Sequence, residues 1–91
     1  MKVPFKYLES TLINFIESKL DISHVNLDDD EHIKSYLEIL LEKSEMIDKL
    51  KISNAENEFT GSISFWLEPK NENKTDEFLK NIKRFQKFME E

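Results

Sequence analysis

The period at which apolar residues recur changes twice along this chain, and that limits what it can fold into. Ile33, Tyr36, Leu37, Leu40 and Leu41 recur at i, i+3, i+4, i+7 and i+8, which predicts an amphipathic helix. Phe59, Gly61, Ile63, Phe65 and Leu67 then alternate with Thr60, Ser62, Ser64, Trp66 and Glu68, which predicts a half-buried strand with one core face. Phe78, Leu79, Ile82, Phe85 and Met89 return to the helical period, with Phe88 at its margin. A chain that switches between periods near 3.6 and 2 packs helices against a sheet rather than building either alone.

The remaining elements follow from local signals. Pro4 suits the first position of a helix, where its missing N–H costs nothing. From there Phe5, Leu8, Leu12, Phe15 and Ile16 keep helical spacing, and Ile13 and Leu20 widen the stripe. A stripe that wide marks either a helix wedged between two elements or a flank used as an interface. Asp21 to Asn26 reads as a connector. Asp28 is placed to cap the second helix, with Glu31 completing a capping box and Asp29 and Asp30 favoured by the helix dipole. That helix is expected to end near Ser44 or Glu45.

Leu50 and Ile52 alternate with Lys49, Lys51 and Ser53, predicting a second strand, and Asn54 to Glu58 reads as a hairpin loop. Core-facing residues must meet core-facing residues, so the expected register sets Ile52 beside Gly61, Leu50 beside Ile63 and Ile47 beside Trp66. Pro69 ends the strand, Lys70 to Lys74 form a loop, and Thr75, Asp76 and Glu77 open the last helix. The expected architecture is a single two-layer α+β domain over residues 1–91, ordered helix-helix-strand-strand-helix with an antiparallel hairpin. A lone two-stranded sheet is marginal in water, so the hairpin must pack on the helices or pair at its edge with another chain.

Composition narrows the chemistry. The chain has no cysteine, which removes disulfides, thiolate nucleophiles and Cys-type zinc sites, and a single glycine, which removes any phosphate-cradling Gly-rich loop. His24, Asp28 and His32 are spaced by fours, but His24 precedes the helix and Asp28 is better used as a cap. The Asp28–Glu31 run lacks the alternating spacing and glycine of a calcium loop. No catalytic residue, metal site or cofactor is expected. No apolar run reaches the roughly 18 residues of a membrane span, and the amphipathic start with Glu9 and Glu17 does not read as a signal core, so a cytoplasmic location is expected, in the protein's own cell or in a host. Asn73-Lys74-Thr75 matches a glycosylation acceptor by spacing alone and is read as chance. Abundant Asn, Ile, Lys and Phe beside the solitary Arg84 suggest an AT-rich coding sequence, which bears on origin rather than function.

A net charge of −6 disfavours direct contact with nucleic acid or an anionic membrane and favours a basic protein partner. Glu31, Glu38, Glu42 and Glu45 project within roughly 60° of one another on the second helix at about 100° per residue. They form either a solvated face or an anionic ridge for such a partner. Glu38 and Glu42, like charges at i and i+4, cost the helix a little, and a mixed face would have been the neutral choice. Lys80, Lys83, Arg84 and Lys87 form a matching basic stripe on the last helix, either solvated, or meeting the acidic ridge of a second copy, or touching nucleic acid, which the net charge disfavours. Trp66 points away from Ile63 and Phe65, either covered by another element or exposed as a partner's anchor, with Ile47 enlarging the patch. The expected function is a small acidic protein-binding module without catalysis: an inhibitor, immunity-type or adaptor protein, and in its sharpest form an anionic mimic from a viral or mobile element that blocks a nucleic-acid-binding protein. The alternative is a homodimer or larger homo-oligomer assembled through the hairpin edge or an apolar helix flank.

Overall fold

The chain begins with a strand, not a helix. In the computed structural model, which describes residues 1–72 and 74–91, β1 (Val3–Leu8) sets Val3, Phe5 and Tyr7 against the core and leaves Pro4, Lys6 and Leu8 exposed. Pro4 is therefore an edge-strand proline and not the first residue of a helix, a place where its missing donor is tolerated. The expected helix start fails because two periods overlap here. Phe5, Leu8 and Leu12 are spaced for a helix while Val3, Phe5 and Tyr7 alternate, and pairing with a distant strand decides between them.

After β1 come α1 (Glu9–Leu20), α2 (Asp30–Lys43), β2 (Leu50–Asn57), β3 (Ser62–Pro69) and α3 (Thr75–Glu90). These five elements keep the expected order behind the unexpected strand. The sheet is antiparallel throughout, in the order β1-β3-β2, so the most apolar strand lies in the middle. The third strand removes the instability of an isolated hairpin.

Helix boundaries follow their capping chemistry. The Asp29 carboxylate, not that of Asp28, accepts from the Glu31 N–H at 2.8 Å and caps α2, while the Asp28 N–H is taken by the Asn26 side chain. α2 ends in a Schellman motif: Met46 N–H donates to the Leu41 carbonyl (2.8 Å) and Glu45 N–H to that of Glu42 (3.0 Å), with Glu45 left-handed at φ 63°. Met46 and Leu41 are both fully buried beneath it. α1 starts without a loop, and its Glu9 N–H donates to the Gly61 carbonyl at 3.0 Å instead of to a side-chain cap.

The hairpin register differs from expectation. Ile52 pairs with Leu67, not Gly61, and Leu50 with Pro69, not Ile63. The turn lies at Glu58–Gly61, not at Asn54–Glu58, and Phe59 belongs to it rather than to the strand. Gly61 N–H closes the turn onto the Glu58 carbonyl with φ 78°, so the chain's only glycine sits where a left-handed residue is required. The slip from position 61 to 67 is even, so core residues still meet core residues. Between Ser53 and Glu56 a bulge adds a residue to β2, with Asn54 left-handed at φ 53°.

All three helices sit on one face of the sheet. α2 packs along β2, Phe15 of α1 meets Tyr7 edge-on at 5.6 Å, and Phe85 of α3 meets Phe5 edge-on at 6.4 Å. Phe65 stacks on Phe5 at 5.4 Å in the centre of one continuous core that includes Leu12, Ile16, Ile33, Leu37, Leu40 and Leu67. Val25 and Leu27 bury the connector before α2, and the Asn57 side-chain amide donates to the Leu27 carbonyl. The layer is thus a small two-layer α+β arrangement with the other sheet face uncovered. Leu79, expected on the apolar face of α3, is 42% exposed. Among the described residues no helix is long and apolar enough to cross a membrane. Asn73, the first residue of the glycosylation-like triplet, lies outside the described residues.

Candidate functional site

The acidic helix puts its charge on the solvent side because the core side is fully used. Ile33, Leu37, Leu40 and Leu41 are buried, which leaves Glu31, Glu38 and Glu42 exposed together on the opposite side of α2. Glu45, expected to continue their line, lies beyond the helix in the left-handed turn and so departs from the helical stripe, though it remains exposed next to Glu42. Among the described residues none of these four carboxylates is paired with a base. Among the described residues the one ion pair joins Lys6 to Glu58 across the other side of the molecule, at 2.7 Å.

Beside these acids runs a groove that no single element foretells. One hollow, about 360 Å³, is lined by His24, Asn26, His32, Ser35, Tyr36 and Ile39. A second, about 420 Å³, is lined by Leu20, Ile39, Glu42, Lys43 and Glu45. Ile39 belongs to both and is 43% exposed, an aliphatic side chain on the polar side of an otherwise well-sorted helix. The second wall comes from the end of α1 and the connector, where Asp21 and His24 both take left-handed backbone conformations and the His24 N–H donates to the Glu17 carboxylate. Two features of the sequence fall here, though neither predicts a groove: Leu20 at the end of the widened α1 stripe, and the aliphatic Ile39 between Glu38 and Glu42. His24 and His32 do share a hollow, but Asp28 does not line it, and no group of three or more metal-binding side chains forms among the described residues.

Ile47 and Trp66 are not neighbours. Ile47 lies in the turn after α2, half-buried against the core, and its carbonyl accepts from the Lys70 ammonium at 3.2 Å. Trp66 is half-buried on the uncovered sheet face, flanked by Pro4 and Ser53 on the two adjoining strands. It is therefore on the opposite side of the sheet from the acidic helix, and the six expected partner residues do not converge. The uncovered face and its rim also carry Leu8, 62% exposed, and Phe59, which projects entirely from the hairpin tip. Lys80, Lys83, Arg84 and Lys87 are all exposed on α3, whose apolar side lies over β1 while α2 lies over β2. The acidic and basic stripes thus occupy different flanks of the helical layer.

No family model, curated protein or solved structure matches this chain.

Proposed function

We propose that the protein is a small acidic binding module without catalysis, which engages a basic protein through the exposed side of α2. The observation that carries this reading is the set Glu31, Glu38, Glu42 and Glu45, exposed together and unpaired in a chain with thirteen basic residues to draw on. Unneutralised carboxylates on one side of a helix repel one another, and a partner's lysines or arginines relieve that repulsion while steering association. An inhibitor, immunity-type or adaptor protein has this character. In its sharpest form, the acidic face imitates a nucleic-acid backbone and blocks a protein that binds one.

The test is charge reversal. Glu38→Lys combined with Glu42→Lys leaves the core untouched, since both side chains are exposed. The double variant is expected to lose at least about tenfold in affinity for a basic partner recovered by the wild-type protein, with the wild-type complex weakening as salt rises. Unchanged affinity sinks the reading.

A second reading is supported by a different observation, the uncovered sheet face with Trp66 and the exposed Leu8 and Phe59. Two copies meeting there, or along the free edges of β1 and β2, make a homo-oligomer whose association resists salt. Light scattering on Leu8→Ser with Phe59→Ser separates the two: a dimer that becomes monomeric in this variant favours self-assembly.

A further inference from the structure

The acidic side of α2 and the groove share residues, and the sharing defines a partner. At about 100° per residue, Glu31, Glu38 and Glu42 cluster on one side of α2, and His32, Tyr36, Ile39 and Lys43 lie roughly 100° round the same helix. Glu42 belongs to both sets, because it lines the second hollow together with Glu45. The groove follows α2 from His32 to Lys43, about 16 Å at 1.5 Å per residue, or three helical turns. Its lining is aliphatic and aromatic at Leu20, Tyr36 and Ile39, and carboxylate at Glu42 and Glu45 in the second hollow, with Glu38 exposed on the adjoining side of α2. Lys43 is the lysine on the lining, and Lys34 stands near Glu38 on the same helix.

Resting on the reading that this side of α2 meets a basic partner, we propose that the groove seats one basic amphipathic helix of that partner. Aliphatic side chains of the incoming helix pack on Ile39, Leu20 and Tyr36, and its lysines or arginines reach Glu38, Glu42 and Glu45. Charge complementarity selects the occupant: an apolar lining accepts many helices, but these carboxylates in a protein of net charge −6 reject acidic ones. A helix fits better than an extended strand, because no strand lines the groove and so no sheet edge is offered to satisfy a strand's backbone.

Two fluorescein-labelled peptides of about four helical turns supply the test: an amphipathic Leu/Lys helix, and a helix of equal charge with glutamine in place of leucine. Binding is read by anisotropy at about 150 mM salt. The Leu/Lys peptide is expected to bind about tenfold tighter, the effect of burying one or two aliphatic side chains. Ile39→Ser, a change at an exposed site, should reduce that preference to within about twofold and leave the Gln/Lys peptide unaffected. Leu8→Ser on the far face should alter neither. A preference that survives Ile39→Ser, or that vanishes with Leu8→Ser, overturns the groove proposal. Equal binding of the two peptides, lost together in Glu38→Lys with Glu42→Lys, also overturns it but leaves the acidic face as the partner site. Absence of binding by either peptide overturns both.

Discussion

Single residues held in unusual conformations define the ends of the elements in this molecule. Glu45 occupies the position after the C-cap of α2 with a left-handed backbone, where a residue with a Cβ carries a steric cost that glycine avoids. Glu45→Gly should therefore stabilise the fold by about 0.5–1 kcal/mol, measured as a higher urea midpoint at unchanged slope. Gly61 is the opposite case, since its left-handed conformation is already matched by the residue type. Glu58 sits at the other end of that turn, accepting from the Lys6 ammonium at 2.7 Å and from the Ser64 hydroxyl at 2.6 Å. These bonds, that from Lys6 foremost, hold its carboxyl below the ordinary value of 4.5. A carboxyl lowered in the folded state contributes stability above its unfolded pKa and loses it as pH falls through the lower folded value. Glu58→Gln is thus expected to lose less stability than the wild type between pH 7 and pH 3, read from urea midpoints at the two pH values.

At the scale of elements, legibility tracked how many periods a segment satisfies at once. α2 and α3 were readable because each has one strong helical period and acidic residues in its first turn. β1 was not, since six residues shared between two patterns cannot show that β3 waits far along the chain to pair with them. The β2–β3 register was unreadable for a different reason: alternation separates odd from even slips but not one even slip from another. Gly61 was the residue that could have decided it, because its conformational freedom marks the turn more strongly than the Asn54–Glu58 stretch does. The acidic side of α2 was legible from periodicity, but its companion groove was not. The groove needs Leu20 and His24 from elsewhere in the chain, and a helical projection of α2 shows Ile39 only as an isolated exposed aliphatic.

The whole molecule has three surfaces of different character: an acidic helix with an apolar groove, a basic helix on another flank, and a sheet face bearing Trp66. The acidic helix and the sheet face lie on opposite layers, so one partner can engage the first without covering the second, and the two proposed modes of association are compatible in principle and separable by salt. Burial of Tyr7 between Phe65 and Phe15, with the Glu90 carboxylate nearby, raises its phenol above the usual value of 10.0. A group raised in this way contributes stability below its unfolded pKa and loses it as pH rises, so the phenol's ultraviolet titration midpoint should lie above 10 and fall to the ordinary value on unfolding.

The central place of β3 has a consequence in time. Its partner β2 is its immediate predecessor in the chain, whereas its partner β1 lies further back, with α1, α2 and β2 in between. During synthesis β1 must wait, unpaired, until α1, α2, β2 and then β3 have followed. Closing a short loop is faster than closing a long one, so the hairpin is expected to form early and β1 to dock late. Truncating Val3 to Ala should accordingly speed unfolding with little effect on refolding, while Ile52→Val should slow refolding, a contrast that stopped-flow kinetics in urea would resolve.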